Sequence, residues 1–183
     1  MEHMYFQSTL KSGVCNSIDL TLMDLLQLGV CVGFPYVGSI AGSSVITRNL
    51  EWYKTLKKPK CTPPTWVFGP IWGILYGSVG LASFFLLHEA KPDANITLPL
   101  AVYFIHLLLN WSWPYVFFGL HKLKTSVGVI IAATSCAAQC AILFREISTA
   151  AGYMMMPCVF FMVFASYLNI GAAILNQRNS RPN

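Results

Sequence analysis

The chain has 183 residues, of which 55% are hydrophobic and only 10% charged, and its mean hydropathy is +0.56. A soluble domain of this size carries about 25% charged residues, so an ordinary water-facing surface is excluded for most of the chain. The formal charge of +5 arises from lysines and arginines crowded between apolar runs and needs no nucleic-acid partner.

Residues 1–24 read as an N-terminal tail. The stretch EHMYFQS at 2–8 reads equally as a protease-cleavage scar or as native tail and is given no weight, and no basic segment leads into the apolar run of a secretory signal. Five stretches then follow without a single Asp, Glu, Lys or Arg, at about 25–46, 66–87, 98–120, 125–144 and 150–175. Each supplies the roughly 20 helical residues that cross a hydrocarbon core of about 30 Å. All 19 charged side chains fall between these runs or in the tails. The runs show no period-two alternation, so the expected fold is all-α: an integral membrane bundle of five transmembrane helices over 25–178, with a short tail at 179–183. No repeat links one span to another, which gives an inverted-repeat transporter no support.

Charge also sets an expected orientation. Arg48, Lys54, Lys57, Lys58 and Lys60 in the first loop, Lys122 and Lys124 in the third, and Arg178 and Arg181 at the end lie on one side. Lys11, Lys91 and Arg145 lie on the other. The positive-inside rule then places the C-terminus and first loop in the cytosol and the N-terminus across the membrane.

Span one pairs Gly29 with Gly33 and Gly38 with Gly42, span two carries Gly69, Gly73 and Gly77, and span four carries Ala133, Ala137 and Ala141. Small residues at such spacing are seams at which helices in lipid approach closely. They either hold the bundle together or join two copies into a homodimer. Pro35, Pro70, Pro114 and Pro157 lie within or at the ends of spans and are expected to bend them. Beside the glycine seam of span two runs a second ridge, Phe68, Trp72 and Tyr76. Span three presents Tyr103, His106, Asn110, Trp113 and Phe117 along one face, and span five presents Phe161, Ala165 and Leu168. Core packing and a ligand box are both open readings of these stripes. His106 and Asn110 are too costly to face lipid and should point inward. For His106 the plain reading is an interhelical hydrogen bond and the sharper one a haem ligand. Cys31, Cys136, Cys140 and Cys158 lie inside spans and read as reduced, apolar residues. The glycosylation patterns at Asn95 and Asn110 abut or lie within a span and are not expected to be used. No metal and no cofactor is expected.

Two stretches carry a resemblance: WYKTLKKPKCTPPTWVFGPIWGILYG at 52–77 and LNWSWPYVFFG at 109–119. Together with FPYVGSIAG at 34–42 and the LN pair at 168–169, they are similar to the translocator protein family, TspO/MBR, also called tryptophan-rich sensory proteins or peripheral benzodiazepine receptors. The resemblance covers about 25–178. It implies a five-helix bundle, often dimeric, that binds porphyrins and, in animals, cholesterol and drug-like molecules under the first loop. For eukaryotic members it implies the outer mitochondrial membrane with a cytosolic C-terminus. Carried over position by position, the pocket residues would be Ser43 and Ile46 in span one, Phe68, Ile71 and Trp72 in span two, Asn110 and Trp113 in span three, and Phe161, Ala165 and Leu168 in span five. Tyr53 would sit in a lid stiffened by Pro59, Pro63 and Pro64, whose lysines could draw in porphyrin carboxylates or lipid headgroups.

Three positions depart from the family pattern. Cys61 stands where the lid usually carries tryptophan, and Phe161 where span five usually carries one. The end of span five, LNIGAAILNQR at 168–178, lacks the tyrosine and nearby cation of the animal sterol-recognition pattern. Three functions follow from the resemblance: a receptor for porphyrin-type or sterol-type ligands, an enzyme that degrades porphyrin in light with Trp72 as the reacting ring, or a carrier between membranes. No nucleophile–base pair or phosphate loop stands out, which disfavours hydrolytic or ATP-driven work and favours binding without catalysis.

Overall fold

The computed structural model describes residues 21–177, and among them all regular structure is helical. The scar-like stretch at 2–8 and the basic residues Lys11, Arg178 and Arg181 lie outside the described residues. The elements are α1 (Leu22–Arg48), a short α2 (Leu50–Thr55), α3 (Thr65–Glu89), α4 (Thr97–Pro114) continuing into a π-helical turn (Tyr115–Gly119), α5 (Leu123–Ile147) and α6 (Thr149–Gln177). The five long helices are the five expected spans, each long and apolar enough to cross a membrane, and the protein is an integral membrane bundle. Four of the five helices outrun at both ends the charge-free stretch that announced them, and the third span runs Thr97–Gly119 against 98–120. Charge-free length marks the hydrocarbon, whereas helices continue into the headgroup region until something caps them. At α1 that cap is Thr21, whose hydroxyl accepts from the Asp24 N–H while the Asp24 carboxylate accepts from the Thr21 N–H.

Around the ring the helices neighbour one another in the order α1, α3, α6, α5, α4, and the seam from α4 back to α1 is the thinnest. Small residues set most of these approaches. Ala133 and Ala137 of α5 are fully buried, and Gly152 of α6 leaves no room for a side chain against the Arg145 backbone. Between α1 and α3 the closest point is Gly80, where an added Cβ would lie 2.6 Å from Val32 Cα and 2.7 Å from the Cys31 carbonyl. Pro35 has no N–H to offer that carbonyl, so α3 approaches α1 at a place where the proline has already opened the helix. Not every glycine marks a close approach within the chain. A Cβ added at Gly29, Gly33, Gly69 or Gly73 would meet no neighbouring atom within 4 Å.

Hydrogen bonds tie each pair in turn. Tyr36 donates to the Gly73 carbonyl and Ser78 to the Met154 carbonyl. His106 is fully buried and its Nδ1–H donates to the Ala133 carbonyl at 3.1 Å, so it is the interhelical clip of the plain reading, and its Nε2 faces the Cys158 thiol at 4.0 Å. Such bonds in lipid average about 0.6 kcal/mol, less than the roughly 1–3 kcal/mol cost of overpacking a close contact. Backbone approach therefore governs the pairing and hydrogen bonds fix its register.

The segment from Asn49 to Pro64 folds back over one end of the ring. Three contacts hold it to the last turns of α6. The Lys57 N–H donates to Asn176 Oδ1 at 3.1 Å and Asn176 Nδ2 donates to the Lys57 carbonyl at 2.9 Å. Pro59 lies against Gly171, where any Cβ would collide with its ring. Cys61, exposed in place of the expected tryptophan, meets the Tyr167 hydroxyl at 3.6 Å.

Two outcomes test these contacts. Gly80→Ala lowers thermal stability in detergent by about 1–3 kcal/mol, whereas Gly33→Ala, placed in open space, does not; equal effects would contradict the seam. Asn176→Ala removes both bonds to Lys57 and speeds hydrogen exchange of the Lys57 amide about tenfold, an effect absent at amides of α5.

Candidate ligand cavity beneath the lid

Along the ridge Phe68–Trp72–Tyr76 of α3, and bordered by α4 and α6, lies a cavity of about 530 Å³. Small-molecule pockets range over roughly 300–1,000 Å³. Its lining follows α3 from Thr65 to Tyr76, a depth of roughly 16 Å at about 1.5 Å of rise per residue. Trp72 meets Phe161 edge-on with ring centroids 5.5 Å apart, and Trp113 stacks on Phe117 at 4.9 Å. Ser43, Ile46, Tyr53, Phe68, Trp72, Asn110, Trp113, Phe161, Ala165 and Leu168 all line this one cavity. Ile71 does not. It lies about 100° around the helix from Trp72 and packs half-buried against the core instead, so the assignment of Ile71 to the wall is corrected.

Two tryptophans of α4 are held by their indole N–H groups, since a buried indole needs an acceptor. Trp113 donates to Asn169 Oδ1 at 2.8 Å, and Asn169 passes the link on by donating to Ser126 Oγ at 3.0 Å. That chain locks α4, α6 and α5 together behind the cavity wall. Trp111 donates to the Pro35 carbonyl at 3.0 Å and lies flat on Gly38, leaving no room for a side chain there. Trp111, Gly38 and Asn169 line the cavity but were not expected in it. The signal for Trp111 was present: an indole beside Asn110 on the helix that faces the small residues Gly38 and Gly42. Asn110 is 4% exposed, lines the cavity and has an unpaired Nδ2. A buried donor left unmade costs roughly 1–3 kcal/mol, so this position favours an acceptor atom from a guest.

Pro114 ends the regular part of α4, and the π-helical turn after it sets Phe117 and Phe118 side by side, both buried, beneath the lid. Tyr53 packs on both rings, at 6.2 and 5.4 Å, and this burial pushes its phenol above the ordinary tyrosine range. The Lys58 ammonium donates to the Tyr53 carbonyl at 2.7 Å and lies 4.4 Å from the centre of its ring. Partial burial holds Lys58 below the ordinary lysine range. Among the described residues no group of His, Cys, Asp and Glu side chains is placed to hold a metal ion.

The match to known proteins follows the same elements. Residues 29–175 match the TspO/MBR family. The chain is 33% identical over 143 residues to a protein of Sus scrofa named translocator protein, covering 75% of this chain and 85% of that one. It is 29% identical over 153 residues to the tryptophan-rich protein TspO of Chlorobaculum tepidum, covering 83% and 97%. With the tryptophan-rich sensory protein of Cereibacter sphaeroides it shares 31% identity over 140 residues, covering 76% and 85%. The lid and the aromatic ridge fall inside the matched stretch, which covers all but the two outer ends of the helix ring, and the chain belongs to the TspO/MBR family.

Proposed function

We propose that this protein is a membrane receptor, or translocator, that takes a flat and largely apolar ligand of porphyrin type into the lid-roofed cavity without changing it covalently. One observation carries the reading: rings from three separate helices, Trp72, Trp113 and Phe161, border one void instead of filling it. Flat walls suit a flat guest, and the unpaired Asn110 amide supplies a donor for one polar atom on it. Sterol or drug-like rings would use the same apolar surface. A sterol site at the end of α6 draws less support, because Gly171 and Asn176 there are occupied by the lid.

Turnover of porphyrin in light draws little support from the geometry. Phe161 takes the place of the second tryptophan, so the ring neighbours of Trp72 are Tyr76 and Phe161. The excess of lysine and arginine at the lid end favours a cytosolic lid, and the resemblance to eukaryotic members favours the outer mitochondrial membrane.

Titration of purified protein with protoporphyrin IX in the dark should quench tryptophan emission saturably, and later illumination should leave the porphyrin absorption unchanged. Light-dependent loss of the porphyrin band that disappears in Trp72→Phe would support the enzyme instead. Absence of saturable quenching would contradict both. Carriage between membranes requires flux from one vesicle population to another, which affinity alone does not show.

A further inference from the structure

The cavity wall is mostly apolar and aromatic, with the amides of Asn110 and Asn169 along it, and its formal charge lies at the roof. Among the described residues that line it, Lys58 carries the only formal charge, and no Asp or Glu borders it. The other lid lysines are placed elsewhere. Lys54 pairs with Glu51 at 2.7 Å, Lys57 is tied through its backbone to Asn176, and neither Lys57 nor Lys60 lines the cavity.

Lys58 is turned onto its own lid. Its ammonium donates once, to the Tyr53 carbonyl, and rests against the Tyr53 ring. An ammonium has three donors, so beside the Tyr53 carbonyl it can still donate to a guest. A partly desolvated cation is stabilised most by an anion that also accepts hydrogen bonds. Near it at the roof stand Thr62 and Thr65, which also line the void, the Thr62 hydroxyl donating to the Pro59 carbonyl at 2.8 Å. The charge of the cavity is therefore one-sided, with one cation under the lid and Trp72, Tyr76 and Phe161 farther along the helices.

We propose that Lys58 selects the ligand by its charge: the cavity takes an amphipathic acid, with a carboxylate paired to the Lys58 ammonium under the lid and the ring system inserted toward Trp72. This inference rests on the reading of the cavity as a ligand site and narrows it, since a neutral sterol has no group for that end. Binding adds a carboxylate to the partners of the Lys58 ammonium, which already holds the Tyr53 carbonyl, so the acid would tie the ligand to the lid.

The test uses the full chain in nanodiscs of neutral phosphatidylcholine, which removes anionic headgroups as competitors. Protoporphyrin IX and its dimethyl ester, the same ring with its charges removed, are titrated in the dark against tryptophan emission. Lys58→Met should weaken binding of the acid about tenfold while changing that of the ester by less than about twofold. Lys58→Arg should keep the acid within about threefold of the parent chain, because the charge is retained. Lys54→Met, which removes an equal charge outside the cavity, should leave both ligands unchanged. Equal losses for acid and ester in Lys58→Met would overturn the inference and assign Lys58 to lid structure alone. An unchanged acid affinity would overturn it as well. Should the parent chain bind neither ligand saturably, the cavity reading fails first and the role of Lys58 fails with it.

Discussion

Helices in lipid gain nothing from hiding apolar surface, because the acyl chains around them are just as apolar; they come together only as closely as their surfaces interlock. That constraint produces both the solid and the hollow parts of this protein. Where α5 meets α6, Ala133, Ala137 and Gly152 let the backbones close and no space is left. Where α3 and α4 turn Phe68, Trp72, Trp113 and Phe117 inward, the same helices cannot close. A cavity bordered by rings is thus the necessary counterpart of glycine and alanine seams elsewhere in the ring.

A hollow that reaches the end of a bundle would fill with water and expose Asn110 and Asn169 to it. The lid answers this by placing Tyr53 over Phe117 and Phe118 and by fastening itself to the last turns of α6. Gly171 has a part in this that the sequence pattern alone disguises. Having no side chain, Gly171 leaves a space that the Pro59 ring takes. The end of α6 has become a landing place for the roof, which couples access to the cavity to the position of the C-terminal helix.

Much of this was legible in the residues. Charge-free runs located every span because charge is excluded from hydrocarbon, and the i, i+4, i+8 ridge of α3 pointed to Phe68, Trp72 and Tyr76 because a helix repeats nearly every four residues. The same periodicity should have excluded Ile71, which stands beside Trp72 in sequence but on another face. What the residues did not disclose depends on partners distant along the chain. The bond from Trp111 to the Pro35 carbonyl, the relay from Trp113 through Asn169 to Ser126, and the pairing of Asn176 with Lys57 of the lid each join segments whose relative placement is unknown until the ring is assembled. The π-helical turn at Tyr115–Gly119 was similarly hidden: Pro114 announced a disturbance there but not its form. Of the glycines expected in seams, an added Cβ would meet another helix at Gly38, Gly42 and Gly77 and open space at Gly29, Gly33, Gly69 and Gly73, since spacing shows only that a close approach is allowed.

The most direct measurement fills the hollow. Ala165 faces the cavity from α6 opposite the α3 ridge, and Ala165→Trp places an indole in the space assigned to the guest. The account predicts a variant that melts no lower than the parent chain yet shows no saturable association with protoporphyrin IX in the dark. A folded Ala165→Trp protein that binds the porphyrin as tightly as before would mean that the ligand sits elsewhere, and the central claim would be wrong.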